Sequence, residues 1–301
     1  MKLETIETFA VAPPTGIGGS FWVLVRVTTD DGIQGVGECY GIPFAPPVAC
    51  AMVEDVFDRY LAGEQPQRIE TMFRRVYSAG FTQRPDPTIM SVFSGIETAA
   101  WDILGKARGV PVYDLLGGKL RDKIRVYWSH CGTWRIAYHP FYGNRITDLA
   151  GVRALGEEVR DRGFTALKTN IFTEWNGALR SWAPGFGRPW NPELNAEPIV
   201  LRGLHDVLAA FREGAGDDMG ILLDLNFNFR TSGVLEILRM LADFDLFWLE
   251  YDNDSPEALR YIRDNAHTQI ASLETKIGLP SFVPYFREQA VDVAIIDAVW
   301  N

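Results

Sequence analysis

From Lys123 onward the chain repeats one rhythm: a short β-branched run, an amphipathic helical stretch, then another such run. The pattern predicts strands at Ile124–Ser129, Ala166–Ile171, Gly220–Asn226, Phe247–Tyr251, Gln269–Glu274 and Val293–Val299. Helices are expected between them, over 149–162, 196–213, 232–242, 255–266 and 280–289. Such alternation forces parallel pairing through right-handed crossovers, which leaves a doubly wound sheet or a (β/α) barrel. The polar residues decide. Lys168, Asp224, Glu250, Glu274 and Asp297 each fall at or near the C-terminal end of a different strand. In a barrel those ends converge on the face where chemistry sits. A dinucleotide-binding sheet would carry a Gly-rich turn after its first strand, and Ser129-His130-Cys131-Gly132-Thr133 is not one.

The preceding residues follow other rules. Leu3, Ile6, Phe9 and Val11 lead into the Pro/Gly stretch 13–19. Phe21–Thr28 and Ile33–Glu38 then read as strands joined at Asp30-Asp31-Gly32, a hairpin signal. Helical periodicity covers 47–62, 67–80 and 91–108, the last stopped by Gly109-Val110-Pro111. The expected organisation is an α+β unit over 1–122, followed by an α/β (β/α) TIM-type barrel over 123–301.

Composition removes several function classes. The formal charge is −10, from 29 basic and 39 acidic residues, so nothing supplies the basic footprint of a nucleic-acid binder. No apolar run approaches the ~18 residues of a membrane span. Three cysteines at no metal-like spacing (Cys39, Cys50, Cys131) suit a reducing, cytoplasmic setting.

The sharpest chemical signal is the trio Asp224, Glu250 and Glu274, spaced 26 and 24 residues apart, about one strand–helix unit each. A lone strand-end acid commonly caps a helix or pairs with a base. Three in register on neighbouring strands cannot all stay ionised without a cation, and an all-oxygen set suits Mg²⁺. Lys168 and Asn170 alternate on their strand and share a face. Lys168 either meets negative charge there, where it could stabilise an anionic substrate, or snorkels to solvent. Asn226 lies two residues past Asp224 and could donate to a substrate oxygen. Asp297, inside the apolar run 293–299, wants a partner such as a His that it orients as a general base. His130 reads as a rim residue. The stretch 173–198, with Trp175, Trp182, Phe186 and Trp190, reads as a wall over the active face or an oligomer contact.

On these residues the chain resembles the mandelate racemase/muconate lactonizing enzyme group of the enolase superfamily, nearest to its acid-sugar dehydratases. The strip Ser94-Gly95-Ile96-Glu97-Thr98-Ala99-Ala100-Trp101-Asp102-Ile103-Leu104-Gly105-Lys106, followed by Leu115-Leu116-Gly117-Gly118, is similar to the signature of that group's capping domain. The resemblance implies that Asp224, Glu250 and Glu274 ligate Mg²⁺ and that the proton α to a substrate carboxylate is removed to give an enediolate. It aligns Lys168 with the helper Lys and Asp297 with the Asp of an Asp–His dyad. The departures narrow the reaction. Asn170 stands where many members carry a second Lys as base, Asn226 where the galactonate dehydratase type has a His, and Trp300 where the muconate branch has a Lys. Glu250-Tyr251-Asp252 replaces the usual Glu-Glu/Asp-Pro.

A two-base racemase needs an acceptor on each face of the α-carbon, and neither Asn titrates near neutrality. The expectation is therefore a Mg²⁺-dependent dehydratase of a sugar acid, a small-molecule carboxylate. Racemisation, epimerisation, cycloisomerisation or ligand binding without turnover are the alternatives. The resemblance also implies a homo-oligomer. About 180 residues run from Lys123 to Asn301, where a full barrel takes ~250. The barrel is therefore expected to be truncated after its sixth strand, with little turnover from this chain alone.

Overall fold

The computed structural model describes residues 1–11, 21–79, 86–137, 142–182 and 195–299. The chain forms two compact units: Met1–Lys123 with Lys276–Gly278 and the segment from Asp297, and Ile124–Thr275 with Leu279–Ile296. The main boundary falls between Lys123 and Ile124, where the sequence rhythm changes. No helix among the described residues is long and apolar enough to cross a membrane.

In the first unit β1 (Leu3–Val11), β2 (Trp22–Thr29) and β3 (Gln34–Cys39) form an antiparallel meander. Alternation on β2 buries Val23, Val25 and Val27 on one face. Helices α1 (Pro46–Val56), α2 (Ile69–Tyr77), α3 (Pro87–Arg108) and α4 (Val112–Leu115) follow. Asp86 caps α3, its carboxylate accepting from Thr88 N and Ile89 N, with Pro87 in the first turn. The helix closes on Gly109.

The signature strip has a packing cause. A Cβ on Gly37 would stand 2.0 Å from the carbonyl oxygen of Gly95, and one on Gly35 would stand 2.0 Å from that of Ala99. Strand and helix thus meet backbone to backbone, which only glycine on β3 permits. Asp102 then accepts from Val36 N at 3.0 Å.

The second unit contains α5 (Thr133–Ala137), α6 (Leu149–Asp161), β4 (Ala166–Thr169), β5 (Phe172–Trp175), β6 (Ala178–Ser181), α7 (Pro198–Ala215) and β7 (Gly220–Asp224). It continues through α8 (Thr231–Met240), β8 (Trp248–Glu250), α9 (Pro256–Asp264), β9 (Ile270–Ser272), α10 (Leu279–Arg287) and β10 (Val293–Ala294). Strands β4, β7, β8, β9 and β10 are parallel and neighbour one another in sequence order. Trp128 adds a parallel bridge to Leu167 on the outer side of β4. A doubly wound sheet would reverse its order at a switch point; this one does not, as a barrel requires. Leu167, Ile221, Leu223, Leu249 and Ile270 pack against Val152, Leu155 and Val159 of α6 and Leu204, Val207 and Phe211 of α7.

Two expectations need correction. The strand expected at Ile124–Ser129 is reduced to the Trp128 bridge, and Ile124 and Val126 are exposed. The strand expected over Val293–Val299 ends at Ala294, so Asp297 stands outside it. The stretch 173–198 opens as a β-hairpin, with β5 pairing antiparallel to β6 around Asn176-Gly177. Both turn residues have positive φ, 51° and 75°, the pairing that a two-residue hairpin loop requires.

Candidate active site

Register assembles the site. Asp224 and Glu250 are paired residues at the ends of adjacent parallel strands, so their side chains share a face and a level. Lys168 is level with Leu222, one tier lower on the same face. Its ammonium reaches up the sheet to Glu250 Oε2 at 2.9 Å and Asp224 Oδ2 at 3.6 Å. All three side chains are buried. The Lys168 ammonium also lies 5.8 Å from the centre of the Tyr127 ring.

Two asparagines flank the acids. Asn170 donates from Nδ2 to Asp224 Oδ2 at 3.3 Å, while its Oδ1 accepts from Thr133 Oγ1 at 2.8 Å and lies 3.1 Å from His130 Nδ1. Asn226 donates to Asp224 Oδ1 from its backbone N (2.8 Å) and from Nδ2 (3.2 Å). Asn226 holds a left-handed φ of 54° to do so.

Electrostatics follow from one ammonium facing several acids. Burial, then the charge of Asp224, push Glu250 up to about 7 against the pull of Lys168, and Glu274 adds to the rise. Burial opposes charge on Lys168, but the fields of Glu250 and Asp224 outweigh it and push its pKa up. Both shifts go the same way because the negative charge is in surplus, and surplus negative charge favours a proton on every group. Glu274 is half-buried, two residues past β9, and enters the cluster through its field.

Glu274 is placed by a strap that the sequence did not reveal. Asp252 donates its N–H to the Asn226 carbonyl at 2.8 Å. Its Oδ1 accepts from Ser272 Oγ at 3.1 Å and Leu273 N at 3.2 Å. That carboxylate holds Leu273, fully buried with φ 92°, immediately before Glu274. Asp252 thus ties the ends of β7, β8 and β9 together. Tyr251, the other departure in the tripeptide, is buried and donates to the Phe229 carbonyl at 2.8 Å.

Asp297 lies three residues past the end of β10. It belongs by its contacts to the first unit, is half-buried, and accepts from Val299 N at 3.2 Å. Of the aromatic residues in 173–198, Trp175 is exposed at the hairpin turn and Trp182 stacks on Phe229 at 5.2 Å. Phe186, Trp190 and Trp300 lie outside the described residues.

The donor set fits a hard divalent cation in chemistry: carboxylate oxygens with a net negative field. Among the described residues no three acids, histidines or cysteines stand close enough to enclose a metal ion. Asp224 and Glu250 are the pair that stands together, with Lys168 answering their charge.

Buried acids on successive strand ends of a sequentially ordered parallel sheet, preceded by an α+β unit, point to a barrel protein of the enolase type. Residues 7–117 match the N-terminal domain of mandelate racemase/muconate lactonizing enzyme, and residues 151–301 match the enolase C-terminal domain-like fold. The chain belongs to the mandelate racemase/muconate lactonizing enzyme family of the enolase superfamily.

It is 37% identical over 271 residues to D-galactonate dehydratase of Ralstonia pickettii, matching 90% of this chain and 60% of that protein. It is 29% identical over 281 residues to D-gluconate dehydratase of Thermoproteus tenax, matching 93% of this chain and 50% of the relative. The chain therefore spans between half and three fifths of the length of these two curated relatives. A solved structure from Burkholderia xenovorans strain LB400, described as a candidate L-alanine-DL-glutamate epimerase bound to magnesium and fumarate, is 42% identical with a TM-score of 0.91. That match covers 100% of this chain and 73% of the other.

Proposed function

We propose that this protein is a Mg²⁺-dependent dehydratase of a sugar acid. The observation that carries the reading is the Lys168–Asp224–Glu250 cluster, with amides rather than titrating groups at the two flanking positions. Asp224, Glu250 and Glu274 would hold Mg²⁺, which would supply the positive charge that acidifies the proton α to a carboxylate. Lys168 places an ammonium where negative charge develops as that proton leaves. Asn170 and Asn226 offer N–H donors to substrate oxygens and fix the orientation of Asp224. Neither takes up a proton, so one face of the α-carbon has no base from these positions. Asp297 is proposed as the acid that orients a histidine base. One acid–base group can remove the α-proton and then protonate the departing β-hydroxyl, which completes elimination of water.

The names of the Ralstonia and Thermoproteus relatives support a sugar acid as substrate. The description of the Burkholderia neighbour favours epimerisation as the second reading. Incubation with a panel of sugar acids and Mg²⁺ in D₂O separates the two. Dehydration gives a keto acid and leaves unreacted substrate in its original configuration. Deuterium at the α-carbon of an inverted acid, without keto acid, would establish epimerisation instead.

A further inference from the structure

The hydrogen bonds of Asn170 have a direction that fixes a proton elsewhere. Its amide touches three groups: Asp224 Oδ2, Thr133 Oγ1 and His130 Nδ1. A hydroxyl and an imidazole nitrogen can each donate or accept, but a carboxylate only accepts. The amide nitrogen must therefore face Asp224, and Oδ1 must face the other two. Oδ1 only accepts, so Thr133 Oγ1 and His130 Nδ1 both carry the hydrogen. A neutral imidazole protonated at Nδ1 has its lone pair on Nε2.

The local backbone is built to present this histidine. Cys131 N donates to the Lys168 carbonyl at 2.8 Å, and Thr169 Oγ1 donates to the Cys131 carbonyl at 2.9 Å. These bonds staple the turn after Trp128 onto β4. Within the turn His130 takes a left-handed φ of 49°, which disfavours most non-glycine residues and clusters at functional sites. Its ring rests 6.2 Å from that of Trp134, which stacks on Tyr142.

We propose that Asn170 is a relay from Asp224 that locks His130 in the Nδ1–H tautomer, leaving Nε2 as a proton acceptor at the C-terminal ends of the strands. This deepens the reading of the site as one that binds a polyhydroxy carboxylate, since Nε2 can then accept a hydrogen from a substrate hydroxyl. The relay Asp224–Asn170–His130 makes Asn170 a positioning residue for the histidine, assisted by Thr133.

Nitrogen-15 NMR of the whole 301-residue chain tests it without turnover. At about pH 8, above the ordinary His value of about 6.5, the His130 resonances, assigned through His130→Gln, should show the Nδ1–H pattern. Asn170→Ala should return His130 to the Nε2–H form. Thr133→Val should move it partway, and Thr133→Ser should restore the wild-type signature. An Nε2–H pattern in the wild-type protein overturns the relay, and this readout needs no folded variant beyond the assignment. So does a wild-type signature that survives Asn170→Ala in a variant whose circular dichroism is unchanged. If no acid sugar is dehydrated while the tautomer is as stated, the relay stands and the dehydratase reading alone fails.

Discussion

Lys168 stands between two buried carboxylates, so its removal is not a neutral truncation. Lys168→Met leaves Asp224 and Glu250 facing each other without a counter-charge. Breaking a buried pair in this way typically costs about 3–5 kcal/mol, read here as a lowered Tm in metal-free buffer. Saturating Mg²⁺ should then raise Tm more in Lys168→Met than in the wild type, because the cation meets charge that no ammonium neutralises. An equal increment in both proteins would count against a shared site. Glu250 sets the pH response. Its pKa rises from an ordinary 4.5 to about 7 on folding, so between those values the folded protein holds a proton that the unfolded chain has released. Stability of the metal-free protein should therefore fall as pH rises through that window. Urea midpoints with EDTA should show the decline, and a decline absent from Glu250→Gln assigns it to this residue. The trio was legible as residues because three acids recurred at the strand–helix period. Asp252, His130 and Thr133 were not, because their roles depend on which backbone groups three separate turns bring together.

At the scale of elements, pattern read burial better than hydrogen bonding. Leu225, Tyr251 and Leu273 continue their strands' apolar runs and are buried, yet they lie beyond the last ladder residues of β7, β8 and β9. The predicted strands were longer than the observed ones for that reason. The hairpin β5–β6 was legible in Asn176-Gly177 but was masked by the aromatic content around it. Packing and hydrogen bonding between elements can each be tested by one substitution. Gly37→Ala drives a methyl into the Gly95 carbonyl of α3 and should cost about 1–3 kcal/mol, measured by chemical denaturation, while leaving Mg²⁺ affinity unchanged. Asp252→Ala releases Leu273 and so the placement of Glu274. It should weaken Mg²⁺ binding, and Asp252→Asn, which keeps the Oδ1 acceptor, should restore most of it. Equal binding by Asp252→Ala and wild type would remove the strap from the account.

For the whole molecule, the change of rhythm near Lys123 marked the boundary between the units because it is a change of folding rule, from local meander to parallel crossover. The first barrel strand was the weak point. Ile124 and Val126 have the composition of a strand, but exposed side chains there gain little from pairing, and composition does not carry that context. What unites the molecule is the claim that acids on three successive strand ends serve one cation. Calorimetric titration of Mg²⁺ into the metal-free 301-residue protein, beside Glu250→Gln, tests that claim most directly. The account predicts a single site in the wild type that is lost or weakened at least tenfold, about 1.4 kcal/mol, in the variant. Undiminished binding to Glu250→Gln, or none to the wild type, would contradict it.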